Sequence, residues 1–366
     1  MKKILKTLAL SLLFIPFIAG CKAPVFYEIM RDVAPEEATV NGVITSITRY
    51  KSDTEKLVTF SSDGLIWKDT DGTAHGQWSC FPDSNQLSGK IIKTAADKSN
   101  LYVVTITFHE DVEDGLNEPD AATLWCYDGS WDKVENTPKL NPGNFNIFCT
   151  NDVENNNRSA YLRIGDKVYK LNGKNFPTSE KTTGNYNSVV YFSKTAKDSS
   201  TENKHLNNVD NFYFFTSTAS VADNTKKKIY WGEGTSLYYC DEETEPTKAL
   251  DAGTDISCLA VTSDSLLIGR GDFSNSLISK GGIAKTSLTN GVPGNSLESF
   301  STNATSQLAS VYQIYTLLVA NPEQTELEAS IYASMGFKGS GSSTSVSYDN
   351  IGLWSYYPAR GNWNRE

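Results

Sequence analysis

The sequence predicts an all-β fold, a closed ring of small antiparallel sheets, on three observations. From Val40 onward, short runs rich in β-branched and aromatic residues alternate with Gly, Asp, Asn and Ser turns, and no stretch holds apolar residues at helical spacing beyond a few turns. One hairpin pattern recurs along the chain: an apolar run, a tight polar turn, then a short strand opening with an aliphatic residue beside an aromatic one. All seven tryptophans sit in or beside these hairpins.

Five copies of the pattern are clear: Gly64-Leu65-Ile66-Trp67, Thr123-Leu124-Trp125-Cys126-Tyr127, Lys167-Val168-Tyr169-Lys170-Leu171, Ser236-Leu237-Tyr238-Tyr239-Cys240 and Gly352-Leu353-Trp354-Ser355-Tyr356-Tyr357. A weaker sixth is Gly282-Ile283-Ala284-Lys285. The markers Leu65, Leu124, Val168, Leu237, Ile283 and Leu353 are separated by 59, 44, 69, 46 and 70 residues. A four-stranded repeat of about 40 to 50 residues fits the shorter spacings, and the longer ones imply insertions. Residues 194–208, polar but for Ala196 and Leu206, and the Gly/Ser run 338–347 are the candidates. A second apolar strand precedes most copies, at residues 43–47, 89–93, 146–149 and 256–261, and these are expected to line the axis of the ring.

This pattern resembles the β-propeller class over residues 39–366, with about six four-stranded blades and seven also allowed. Blades that cannot bury both faces alone bury them against neighbours, and radial closure leaves few exposed edges. A pair of β-sandwiches is the rival, and would carry no repeat. Trp67, Trp78, Trp125, Trp131, Trp231, Trp354 and Trp363 are expected to fill the wedges between blades. The functional alternative makes them stacking platforms for sugars or bases.

The first twenty residues have a different character. Lys2, Lys3 and Lys6 form a basic start, and Ile4 to Ala19 follow without an acidic residue. The stretch is shorter than the roughly 20 residues of a spanning helix and ends in small residues, as an export signal does. Ile18-Ala19-Gly20-Cys21 resembles the lipobox of bacterial lipoproteins. That resemblance implies a signal peptide over residues 1–20, a diacylglyceryl group on the Cys21 thiol, a tether over 21–38 and a propeller over 39–366. Acyl chains contribute about 0.8 kcal/mol per buried methylene, enough to anchor the chain in a membrane without help from the protein surface. Lys22, in place of an aspartate, does not mark inner-membrane retention in the enterobacterial version of the family, so the implied site is the outer membrane of a bacterial envelope.

Charge narrows the partners. The net charge of −10 and pI near 5.0 argue against a nucleic-acid ligand, which needs a basic face. Without the signal lysines the chain keeps 30 basic against 43 acidic residues, net −13, so a polybasic membrane contact is not expected either.

The chemistry-bearing residues form no recognisable active site. Beyond Cys21 there remain Cys80, Cys126, Cys149, Cys240 and Cys258, an odd number with no Cys-x-x-Cys pair. Cys126 and Cys240 hold matching places in the hairpin motif, and Cys149 and Cys258 fall in axial strands, so mostly buried thiols are expected; two disulfides and one thiol are the alternative. There is no Gly-x-Ser-x-Gly elbow, no His-Glu-x-x-His helix and no phosphate-binding loop. His75, His109 and His205 lie far apart in loop-like stretches. Glu110, Asp111, Glu113, Asp114, Glu118 and Asp120 crowd one loop of the second blade, whose spacing does not match a calcium-binding EF-hand. Asp69-Thr70-Asp71-Gly72 reads as a hairpin turn.

No cofactor, metal or catalytic residue is therefore expected. The leading reading is a lipid-anchored extracytoplasmic scaffold that binds a protein or small molecule on its rim loops, similar to propeller-like lipoproteins of bacteria with an outer membrane, spirochaetes among them. The alternative is a carbohydrate-active propeller enzyme, a glycosidase or lyase with paired carboxylates at the central channel. An assembly factor for outer-membrane proteins is a third.

Overall fold

The computed structural model describes residues 40, 42–51, 55–61, 64–69, 78–110, 117–149, 160–165, 167–179, 183–186, 189–192, 213–215, 220–223, 228–241, 247–271, 281–300, 312–321, 323–336, 351–358 and 362–366. All lie in one compact unit, Ala38–Glu366. Every sheet is an antiparallel meander. Sheet one holds β1 (Ile47–Lys51), β2 (Glu55–Ser61), β3 (Gly64–Asp69) and β4 (Ser79–Cys80). Sheet two holds β5 (Lys90–Ala96) and β6 (Leu101–Ile106), then an excursion, β7 (Phe108–Glu110) with β8 (Asn117–Pro119), and returns as β9 (Thr123–Tyr127) and β10 (Trp131–Lys133). Sheet three is β11 (Phe145–Cys149), β12 (Ala160–Ile164) and β13 (Lys167–Lys170). Sheet four is β14 (Thr183–Tyr186), β15 (Val189–Phe192) and β16 (Tyr213–Phe215).

Sheet five holds β17 (Ser220–Asp223), β18 (Lys228–Glu233), β19 (Ser236–Asp241) and β20 (Thr247–Asp251). Sheet six holds β21 (Ile256–Val261), β22 (Ser265–Arg270) and β23 (Gly282–Thr289), which pairs with both β24 (Val292–Pro293) and β25 (Glu298–Ser299). Sheet seven holds β26 (Gln313–Val319), β27 (Ile331–Gly336), β28 (Gly352–Tyr357) and β29 (Asn362–Arg365).

Side chains show how the sheets face one another. In a strand, successive residues point to opposite faces, so a strand buried on both sides feeds two cores in alternation. In β6, Leu101 and Val103 join a core with Tyr50, Val58 and Leu65 of sheet one, whereas Tyr102 and Val104 join one with Ile147, Ala160 and Leu162 of sheet three. In β22, Leu266 and Ile268 pack with sheet five and Leu267 with sheet seven. In β27, Ile331, Ala333 and Met335 face sheet six, while Tyr332 shares a core with Leu57 and Ile66 of the first sheet and with Ile44 just ahead of it. The last sheet thus packs on the first and closes the ring. The chain is a β-propeller, with first strands innermost: β1 touches β5, β5 touches β11, β17 touches β21, β21 touches β26, and β26 touches β1.

A buried ion pair crosses the closing boundary. Lys68 on β3 and Glu366 after β29 are 3% and 2% exposed, and Lys68 Nζ lies 2.9 Å from Glu366 Oε2. Lys68 also donates to the Tyr357 hydroxyl at 2.6 Å, and Trp78 Nε1 donates to Glu366 Oε2 at 2.7 Å. Ser355 Oγ donates to Glu366 Oε1. The ammonium faces the rings of Tyr332, Trp78 and Tyr357 at 4.9, 5.3 and 5.3 Å.

All six hairpin markers form third strands: β3, β9, β13, β19, β23 and β28. The 69-residue spacing exceeds one blade because sheet four stands within it, carrying no marker. Of the expected axial strands, 89–93, 146–149 and 256–261 match β5, β11 and β21, whereas 43–47 meets the first strand at Ile47 alone. β1 begins at Ile47, and Ile44 N donates instead to Ser334 Oγ across the closing boundary, at 2.8 Å. The acidic stretch 109–120 is not wholly a loop either. His109 pairs with Glu118, and Glu110 with Asn117, in the β7–β8 hairpin; residues 111–116 lie outside the described residues, as do 194–208 and 338–347.

The tryptophans pack as expected. Trp125, Trp131, Trp231, Trp354 and Trp363 are buried. Trp67 is half-buried, and its Nε1 donates to the Cys80 carbonyl at 3.2 Å. Cys80, Cys126, Cys149, Cys240 and Cys258 are all thiols; Cys126 and Cys240 are buried on third strands, Cys149 and Cys258 half-buried on first strands, and Cys80 exposed.

Candidate functional site

The end of the axis at which the first strands begin gathers the unusual chemistry. Gly42 and Val43, ahead of β1, share a cleft with Gly89 and Lys90 at the start of β5, while Thr48 meets Thr94 further along at 2.6 Å. Neighbouring first strands therefore run in the same direction, and their starts share one end of the ring.

Three of them carry a β-bulge at this end. In β5, Ile91 pairs with Thr105 and Lys93 with Val104, so Ile92 is the extra residue. In β21, Ile256 pairs with Arg270 and Cys258 with Gly269, leaving Ser257 extra. In β26, Ile314 pairs with Met335 and Thr316 with Ser334, leaving Tyr315 extra. A bulge re-aims the side chains that follow it, and bulges are over-represented beside active sites. The bulge in β5 puts Lys93 opposite Val104, on the face turned to sheet three, where Nζ donates to Asn146 Oδ1 of β11 at 2.5 Å.

Burial perturbs four groups here. It lowers the Lys93 ammonium below its ordinary value. It pushes the Cys258 thiol up to about 12, against the smaller opposing effects of the Ser257 hydroxyl and the Gly269 backbone. It raises the Tyr315 phenol and lowers the Arg270 guanidinium. A thiol so raised carries almost no thiolate at neutral pH and is no nucleophile.

The cleft holds about 590 Å³, within the usual range for small-molecule sites, between sheets one and two. Val43, Phe60, Leu65, Leu87 and Ile91 give it apolar walls, and Ser61, Ser84 and Lys90 supply hydroxyls and one ammonium. Gly89 can sit there because it lacks a side chain: φ is +88°, and a Cβ would meet the Ile106 carbonyl oxygen at 2.6 Å. The cleft adjoins Tyr315, since the tyrosine ring and Val43 both pack against Gly336.

Among the described residues, Asp223 is the single acidic residue on the first strands, and it ends its strand. No group of three or more His, Cys, Asp or Glu among the described residues could hold a metal. Cys21, His75 and His205 lie outside the described residues; His109 is in β7, away from the first strands. Sequence reading passed over Lys93, Asn146 and Tyr315. The available signal was a lysine inside a strand expected to be buried on both faces.

No family model and no curated protein matches the chain. Solved structures do. The tricorn protease aligns at 11% identity over 88% of this chain with a TM-score of 0.45, but the chain spans only 26% of that protein. Virginiamycin B lyase from Staphylococcus aureus, solved with quinupristin, aligns at 11% identity over 81% of this chain and 93% of its own, TM-score 0.44. The PQQ-bound aldose sugar dehydrogenase from Streptomyces coelicolor aligns at 11% identity over 88% and 96%, TM-score 0.43. Sheet order, shared cores and closure define the protein as a β-propeller with an open cleft and three bulged first strands at one end of its axis. Among the described residues, no helix is long and apolar enough to cross a membrane.

Proposed function

We propose that the chain is a lipid-anchored binding propeller of the bacterial outer membrane, held by acyl chains on Cys21 and taking a small ligand at the bulged end of its axis. The observation that carries the binding half is the cleft, with five apolar side chains in its walls beside two hydroxyls and one ammonium. Such a lining suits a ligand with an apolar body and one polar or anionic end. Binding is favoured over turnover because the described residues at this end present an amine, a phenol, a guanidinium and a thiol, and among the described residues the first strands carry one acid, Asp223, at a strand end. The anchoring half rests on the lipobox resemblance at Ile18 to Cys21.

Two measurements test the halves separately. Expressed in a bacterium with an outer membrane and fed labelled palmitate, the wild type should incorporate label and sediment with membranes, and Cys21→Ser should do neither; equal labelling of both would sink the anchor. Anilinonaphthalene sulfonate, an apolar fluorophore with one anionic end, should bind the folded full chain, and Leu87→Asp should weaken that binding at unchanged far-UV circular dichroism. Equal binding by the variant would remove the cleft as the site.

A further inference from the structure

We propose that the cleft between sheets one and two is a site for an aliphatic carboxylate, with an unbranched acyl chain against its apolar side chains and the carboxylate on Lys90. This names the ligand class of the binding reading above and rests on it.

Three other boundaries at this end of the ring are packed shut. Where sheets five and six meet, a Cβ on Gly232 would stand 2.6 Å from Ile256; where six meets seven, one on Gly269 would stand 3.0 Å from Ile314. On the side of sheet seven toward sheet one, a Cβ on Gly336 would stand 3.1 Å from Val43. These glycines lie at the ends of second strands, and at each the neighbouring residues leave no room for even a methyl group. At the boundary of sheets one and two the same test finds space: a Cβ on Gly42 or Gly64 would have nothing within 4 Å, and about 590 Å³ is open.

The side chains around that space are apolar and incompletely packed. Phe60, Leu87 and Ile91 are half-buried, resting against the core that holds Val58 and Leu65 and also lining the cleft. Val43, 37% exposed, is a further apolar lining residue. Apolar atoms without neighbours on one side forgo dispersion contacts and stay hydrated, and a bound hydrocarbon supplies the one and removes the other.

The polar lining is sparse, with Ser61, Ser84 and Lys90 its only polar side chains among the described residues. A sugar or nucleotide carries donors and acceptors around its rings, most of which would go unpaired here at a cost in affinity. An acyl chain has none to satisfy. Phe60 is the single ring among the described lining residues, so a planar ligand finds no second face to stack on.

Charge selects the head group. In a chain with ten more acidic than basic residues, the described lining of the cleft holds one ammonium and no acid. Lys90 is exposed and takes part in no ion pair among the described residues. One ammonium matches the single negative charge of a carboxylate. A phosphate monoester carries about −1.5 to −2 and is commonly met by arginine forks, and no arginine is among the described lining residues.

The test is isothermal titration calorimetry on the full chain with hexanoate, octanoate, decanoate and dodecanoate, each below its micelle concentration, beside decanol and decyl phosphate. Each added methylene should tighten alkanoate binding by about four-fold until the cleft is filled. Decanol should bind more weakly than decanoate, and decyl phosphate no more tightly. Lys90→Gln should weaken decanoate by about three- to ten-fold and leave decanol unchanged. Ser84→Trp, which adds a bulky ring at the cleft, should weaken the whole series at unchanged far-UV circular dichroism. Affinity that does not grow with chain length overturns the acyl chain. Decanol binding as well as decanoate, decyl phosphate binding better, or Lys90→Gln binding decanoate like the wild type overturns the carboxylate head. If anilinonaphthalene sulfonate binds the cleft and the alkanoates neither bind nor displace it, the binding reading survives and the acyl-carboxylate site falls.

Discussion

Lys68 Nζ stands 2.9 Å from Glu366 Oε2 inside the boundary between the last sheet and the first. Each sheet is built from one continuous stretch of chain, so among the described residues no strand is exchanged across that boundary. Closure is held by the apolar core that Tyr332, Leu353 and Tyr357 share with Ile44, Leu57 and Ile66, by this ion pair, and by hydrogen bonds from Ile44 N to Ser334 Oγ and from Val40 N to the Glu366 carbonyl. Burial first, then the adjacent Glu366 carboxylate, raise the Tyr357 phenol, so its hydroxyl remains a proton carrier within the network at any physiological pH.

Removing one partner of a buried pair leaves a charge without compensation. Lys68→Met and Glu366→Leu should each destabilise by about 3–5 kcal/mol, and the double variant should recover part of that loss. Urea unfolding of the four proteins of this cycle measures it. Additive losses would show that the two residues are not coupled.

Lys93→Met should stabilise the protein at neutral pH. A lysine whose folded value is lowered costs stability while both states are protonated, and the cost fades as pH rises through the folded value toward the unfolded one near 10.5. The gain should therefore be largest at neutral or mildly acidic pH, shrink as the pH rises toward 10.5 and be gone above it. Thermal melts of both proteins across that range check it, and a loss of stability at neutral pH would contradict the uncompensated charge.

Gly269→Ala should destabilise by about 1–3 kcal/mol, the usual cost of overpacking. A Cβ there would meet Cys258 Sγ at 2.2 Å and Ile314 side-chain atoms at 3.0 and 3.1 Å. Gly269→Ala combined with Cys258→Ala should recover part of the loss in chemical denaturation.

The thiols should separate by reactivity. Iodoacetamide should alkylate exposed Cys80 in the folded chain, while Cys126 and Cys258, each raised to about 12 chiefly by burial, stay unmodified until denaturant is added. Reductant should leave the melting temperature unchanged. A drop would reveal a disulfide.

Ring architecture was legible because strands buried on both faces leave continuous apolar runs, and third strands such as Leu124-Trp125-Cys126 repeat an aliphatic–aromatic pair at equivalent depth in the wedge. Sheet four escaped because its third strand, Tyr213-Phe214-Phe215, has no aliphatic residue, and its aliphatic–aromatic pair, Val190-Tyr191, stands on the second strand instead. The candidate site was scarcely legible. A bulge at Ile92, Ser257 or Tyr315 depends on how one strand registers against the next, and no local residue type announces it. The Lys68–Glu366 pair joins residues nearly three hundred positions apart, which only closure of the ring brings together.

The most direct test of ligand binding at the bulged end is hydrogen–deuterium exchange on the full chain with and without saturating anilinonaphthalene sulfonate. Slowed exchange should concentrate in peptides covering 84–95 and 312–318, where the cleft wall and the β5 and β26 bulges lie. Protection confined to the opposite end of the blades, at residues 97–100 after β5, with none in these segments, would contradict it.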